Sequence, residues 1–270
     1  MNRVVPPATD RRTPAQAFTV GTLIGTLGGL IGLGGAEFRL PVLVGWFRFP
    51  TLEAVILNKI TSLVVVTFAL LFRSAAIPWQ DVFSHWTVIA NVLAGSLAGA
   101  WLSAHYATRI SQPVLNTTIL VLLVGLAIGM IAGHGWLRGD SSLHLTGPVL
   151  WFGGVLAGLL IGAVAAVLGV AGGELIIPTL VLLFGIDIKL AGSLSLCISL
   201  PTMLVAFARY SQSDAFAVCR REKPFLIAIL LGSIVGAAIG AQLLRYVSPD
   251  ALILILGAIL LISAVKVFRH

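Results

Sequence analysis

The sequence predicts an all-α, polytopic helical membrane protein made of two homologous halves, each with a glycine-broken re-entrant or discontinuous helix. Three observations carry that expectation. Of 270 residues, 58% are hydrophobic and only 10% are charged, with a mean hydropathy of +1.05. A soluble domain of this length carries more charge, about 25% on average. Apolar runs lie near 16–33, 36–47, 51–72, 86–105, 112–133, 147–170, 174–186, 188–208, 223–244 and 249–267, and runs of about 18 residues or more read as membrane-spanning helices. Finally, one motif occurs twice: the stretch Ile31 to Pro41, reading IGLGGAEFRLP, is matched by Leu168 to Pro178, reading LGVAGGELIIP.

The elements follow in order. Residues 16–47 are too long for one straight span, since about 1.5 Å per residue carries them well past a hydrocarbon core of about 30 Å. The Gly34-Gly35 pair therefore divides them into a hairpin or a discontinuous helix, restarting near Ala36. The same reasoning divides 147–186 at Gly172-Gly173. The segments 51–72, 86–105 and 112–133 complete the first half, and 188–208, 223–244 and 249–267 complete the second. Pro41 and Pro178 stand 137 residues apart, and that offset also aligns Gly21-Thr22-Leu23-Ile24-Gly25 with Gly158-Leu159-Leu160-Ile161-Gly162. It further aligns Gly95-Ser96-Leu97-Ala98-Gly99-Ala100 with Gly232-Ser233-Ile234-Val235-Gly236-Ala237. Three blocks in one register indicate an internal duplication. The Gly95/Gly99 and Gly232/Gly236 pairs have the small-xxx-small spacing that lets helix backbones approach closely in lipid.

The division expected is a cytoplasmic tail over 1–15, a first transmembrane repeat over 16–133, a loop over 134–146 and a second repeat over 147–270. Arg3, Arg11 and Arg12 precede the first segment, which lacks a small-x-small cleavage site and reads as a retained helix. By the positive-inside rule these arginines, together with Lys266 and Arg269, place both termini in the cytoplasm. The basic loop with Arg209, Arg220, Arg221 and Lys223 belongs on the same side. Loop charge leaves the relative orientation of the halves open. Four crossings per half make the repeats parallel, with Arg73 and Arg138 inside; five make them inverted, with Arg48 and Arg109 inside instead.

The net charge of +7 is loop charge of this kind, and no soluble basic module suggests nucleic acid as a partner. Cys197 in an apolar helix and Cys219 in a basic loop suggest no disulfide framework. His85, His105, His134, His144 and His270 have no metal-ligand spacing. There is no phosphate-binding loop and no nucleophile elbow. No cofactor, no metal and no enzymatic activity are expected; membrane lipid is the surrounding partner, and a homo-oligomer is left open.

The chemistry concentrates in the repeated motif. Glycine pairs permit backbone that a regular helix forbids, and a helix restarting there aims unpaired N–H groups and a positive dipole end into the membrane, where an anion is attracted. Pro41 and Pro178 act as helix breaks that release the carbonyls of Glu37 and Glu174. An ionisable group within a membrane costs about 2.5–3.5 kcal/mol even on the permissive insertion scale. Two matched copies therefore point to function, with helix-end capping as the structural alternative. Arg39 and Lys59 have no charged counterpart, because the matching residues are Ile176 and Leu196. Facing a cavity, they suit an anionic substrate; otherwise Lys59 pairs with a glutamate and Arg39 snorkels to the interface. Asn58 and Ser62 correspond to Ser195 and Ser199, and Thr61 to Ile198. These polar groups can bond a substrate or a neighbouring helix. The candidate substrate-binding set is Gly34, Gly35, Glu37, Arg39, Asn58, Lys59, Gly172, Gly173, Glu174, Ser195 and Ser199.

The duplicated Gly-x-Gly-Gly-x-Glu-x-x-x-Pro pattern in two hydrophobic halves resembles the TauE/SafE family of sulfite exporters and related permeases. Ala36 and Ala171 stand where that family usually has glycine. The resemblance implies a bacterial cytoplasmic-membrane protein of about eight helices in two homologous halves. It implies transport of sulfite, sulfoacetate or another small organosulfur anion. Alternating access follows as the expected mechanism, with Glu37 and Glu174 as proton-linked switches and protons as the coupling ion. The rival readings are a divalent metal-cation transporter using Glu37, Glu174, Cys197 and Met203, and a membrane assembly factor.

Overall fold

A computed structural model describes residues 13–106, 124–125, 128, 147–168, 172–210 and 217–268. Most of the segment expected over 112–133 lies outside these residues, as do the 134–146 loop, Arg3, Arg11, Arg12, Arg109, Arg138, Ala171, Arg269 and His270. Among the described residues all regular structure is helical. The helices are α1 (Pro14–Ile31), α2 (Ala36–Pro41), α3 (Thr51–Arg73), α4 (Trp79–Ser84), α5 (Trp86–Tyr106), α6 (Pro148–Leu168), α7 (Gly173–Phe184), α8 (Ile188–Tyr210), α9 (Ala217–Arg221), α10 (Lys223–Leu243) and α11 (Pro249–Phe268). Helices α1, α3, α6, α8 and α10 contain stretches long and apolar enough to cross a membrane. The 12 residues of α7 rise only about 18 Å, short of a hydrocarbon core of about 30 Å.

The 137-residue offset reappears in the helix boundaries. α1 and α6 both end at the offset, at Ile31 and Leu168; α2 and α7 start at it, at Ala36 and Gly173; α3 and α8 share both limits. Cys219, read as a loop residue, stands on the short helix α9 and packs half-buried near Phe225. Its matching element is α4.

Contacts at the helix ends give the directions. Arg73, the last residue of α3, reaches Ser193 and the carbonyl of Lys189 in the first two turns of α8. At the opposite end, Arg221 of α9, which follows α8, pairs with Glu53 in the first turn of α3. Thus α3 and α8 run antiparallel. Ala17 near the start of α1 shares a cluster with Phe47, Phe49 and Ala54, so the chain between Gly32 and Thr51 returns to the end where α1 began. So α1 and α3 start at the same end, and α8, which matches α3 at the offset, runs the other way.

Packing does not follow the halves. α1 packs most extensively on α10, and α5 on α6. A Cβ at Gly25 or Gly29 would strike the backbone of Ser233 or Ala237, and one at Gly236 or Gly240 would strike Thr22 or Thr26. The matched crossing places Gly95 and Gly99 against Val155 and Leu159, and Gly158 and Gly162 against Val92 and Ser96. Small residues here allow backbone-to-backbone contact, the role that spacing suggested.

The glycine turns and their buried arginines

Each motif turns the chain back at a glycine that a side chain would strain. Gly32 (φ 95°) ends α1, and the N–H groups of Gly32 and Leu33 both donate to the carbonyl of Gly28 at 2.9 Å. The short helices then start behind Gly35 (φ 67°) and Gly172 (φ 73°). A Cβ at Gly35 would press on Ile24 and one at Gly172 on Ile161, two residues that also match at the offset. Gly35 and Gly172 therefore lie against matching places on the helices that precede them.

Pro178 does not break its helix. α7 runs through it to Phe184, because losing one hydrogen bond to the carbonyl of Glu174 leaves the rest of the helical ladder intact. α2 does end at Pro41, where the chain widens into a π turn over Val42–Trp46. The interruption shared by both motifs is the glycine turn.

A helix of this kind leaves its last carbonyls without donors. Arg73 supplies them. Its Nη1 donates to the carbonyls of Gly29 (2.9 Å) and Leu30 (2.7 Å), its Nη2 to that of Lys189 (2.6 Å) and its Nε to Ser193 Oγ (3.1 Å). The guanidinium is fully buried and sits at the negative end of the α1 dipole, where a cation is stabilised. Sequence reasoning treated Arg73 as a loop charge. Only the unmet carbonyls of α1 signalled that a donor was needed, and nothing in the sequence named it.

Arg39 is likewise buried and does not reach the interface. Its Nη1 donates to Ser62 Oγ (2.9 Å) and to Asn58 Oδ1 (3.4 Å), and its Nη2 to the carbonyl of Gly34 (3.5 Å). Asn58 completes the tie by donating to the carbonyl of Ala36 at 3.1 Å. Arg39 and Asn58 thus pin the first motif to the middle of α3, beside the buried Lys59.

The two motifs meet. Ser195 Oγ of α8 donates to the carbonyl of Gly32 at 2.8 Å, and a Cβ on Gly173 would touch Leu33 and the carbonyl of Gly32. Glu174, next to that contact, is buried, and Glu37 is half-buried. Ser199 is buried, and its hydroxyl has no hydrogen-bond partner among the described residues. Gly34, Gly35, Glu37, Arg39 and Asn58 therefore lie around the first turn with Lys59 next to Asn58, Gly172, Gly173 and Glu174 form the second, and Ser195 reaches the first from α8, where Ser199 stands one turn further on. Among the described residues no three His, Cys, Asp or Glu side chains gather as metal ligands. Met203 instead packs with Val65, Val66, Ala69, Leu196 and Ala237. Burial pushes the Cys219 thiol above its ordinary range, the opposite of what a reactive thiol needs.

The family model for the sulfite exporter TauE/SafE matches residues 17–267. The chain belongs to the TauE/SafE family. No curated protein and no solved structure matches it. With its apolar helices, this TauE/SafE member is a multi-pass membrane protein of a transporter family. The glycine turns and both buried arginines fall inside the matched span.

Proposed function

We propose that this protein carries a small anion, sulfite or an organosulfur anion such as sulfoacetate, across the bacterial cytoplasmic membrane by alternating access. Both termini are cytoplasmic in this reading. The observation that carries it is the contact between the two glycine turns, with Gly173 against Gly32 and Leu33. It brings the start of α7, the motif carboxylates and the polar middle of α3 to one region of the molecule. The antiparallel course of the matched helices α3 and α8 supports an inverted duplication, an architecture in which ligands bind between repeats at broken helices.

In this mechanism Lys59 and the N-terminal end of α7 attract the anion, Ser199 offers its hydroxyl, and Ser195 exchanges its bond to Gly32 for one to the anion. Arg39, already bonded to Gly34, Asn58 and Ser62, shapes the first turn. Glu37 and Glu174 take up and release the coupling protons. The test is sulfite flux in proteoliposomes with and without a pH gradient. The Glu37→Gln/Glu174→Gln double variant should fold yet lose the response to the gradient. A variant that still responds as the parent does rejects the proton role, and a parent without sulfite flux rejects the substrate.

A further inference from the structure

Resting on the transport reading, we propose that the bodies which rock against each other are not the two sequence halves. They are two bundles that have exchanged a helix, α1–α2–α3–α10 and α6–α7–α8–α5, joined at a seam between α3 and α8 that Arg73 clamps.

The packing distinguishes rigid pairs from the seam. Along α1 and α10, glycines on each helix lie against the other's backbone over several turns, at Gly25, Gly29, Gly236 and Gly240. Any sliding there drives backbone into backbone, which a close-packed interior resists. α3 packs on this pair through α10, and α8 packs on the matching α5–α6 pair through α5. The short helices keep to the same bundles, α2 against α3 and α7 against α8. The Glu53–Arg221 ion pair (2.6 Å) joins α3 to the segment entering α10, so it stitches the halves together within one bundle.

The seam is built differently. Its middle is side chain against side chain, with Val66 and Ala69 of α3 in one cluster with Leu196 and Met203 of α8. Among the described residues its backbone-close contacts gather at the end where α1 stops, with Gly32 against Gly192, Gly173 against Leu33 and Ser195 bonded to the carbonyl of Gly32. Arg73 sits there with its bonds divided: Gly29 and Leu30 belong to its own bundle, Lys189 and Ser193 to the other. Opening that end breaks the second pair of bonds while the first pair holds the guanidinium in place. The stretch 74–78 joins α3 in one bundle to α4, which packs on α5 and α8 in the other. It is therefore a connection that must bend.

The test uses cysteine pairs in a Cys197→Ser/Cys219→Ser background, reconstituted in proteoliposomes with sulfite as the probe. Thr26→Cys/Ala237→Cys links the halves inside one bundle; Ala69→Cys/Leu196→Cys links the bundles across the seam. The first bridge should leave most of the sulfite flux and the second should remove most of it, with reduction restoring it. Spin labels supply a readout that needs no transport. Leu23→Cys/Leu231→Cys, in one bundle, should give a single narrow distance, and Leu23→Cys/Leu156→Cys, in different bundles, a broad or double one. A first bridge that arrests flux as strongly as the second, or a narrow distribution for the second label pair, overturns the proposal. An unbridged protein that carries no sulfite counts against the transport reading alone, and the label distances still judge the bundles.

Discussion

The first glycine turn and the second share a backbone plan and differ in charge. Gly35 and Gly172 hold nearly the same conformation, fold back on Ile24 and Ile161, and lead into short helices that carry Glu37 and Glu174. Yet the buried cations among the described residues, Arg39, Lys59 and Arg73, belong to the first half, where the second has Ile176, Leu196 and Tyr210. The glycines recur because both motifs need the same backbone at that point, whereas the cations stand at positions that are apolar or aromatic in the other half. The expensive chemistry is therefore asymmetric while the geometry remains twofold.

That comparison can be broken most severely at Arg73. Arg73→Met strands the carbonyls of Gly29 and Leu30, at about 1–3 kcal/mol for each buried group left without a partner. A sharp fall in folded yield and in the unfolding midpoint in detergent is expected. Arg73→Lys, which keeps the charge but has fewer donors, should recover part of both.

Next comes symmetrisation. The triple variant Arg39→Ile/Asn58→Ser/Lys59→Leu gives the first half the residues of the second. It should fold, because Ile176 and Leu196 are buried comfortably at the matching places, and it should lose sulfite flux in proteoliposomes. Retained flux would show that the asymmetric charges are not what draws the anion.

A smaller effect tests the shared geometry. Gly25→Ala and Gly162→Ala stand at matched positions, and each puts a methyl group against backbone, of Ser233 or Ser96. Overpacking of this kind costs about 1–3 kcal/mol, and thermal unfolding should report similar losses for both. The smallest effect separates two matched serines. Ser96 shares a hydrogen bond with Thr202 at 3.0 Å, whereas Ser233 is buried without a partner among the described residues, the residue matching Thr202 being Val65. Ser96→Ala should cost about 1 kcal/mol and Ser233→Ala nothing measurable.

Much of this was legible in the residues. Hydropathy located α1, α3, α5, α6, α7, α8, α10 and α11 within two or three residues and the glycine pairs located the restarts at Ala36 and Gly173, while the short helices α4 and α9 carried too few residues to show. Both signals are local: length against bilayer thickness, and backbone freedom at one position. Pro178 misled because a proline's cost depends on the bonds around it, and α7 absorbs that cost. That Arg39 would bond Ser62 was out of reach of local pattern, since the two stand 23 positions apart.

From composition, periodicity and repetition alone follow a lipid environment, the number and place of the apolar segments, and the repeated turn. These rest on energies that act over a few residues. Which helices lie together, and that the matched helices α3 and α8 run in opposite directions, depended on folding in three dimensions, because loop charge satisfied both topologies equally. The partners of Arg73 were decided there too. A guanidinium bonds whatever carbonyls the packed chain leaves unmet within its reach, and that reach spans 120 positions between Arg73 and Ser193.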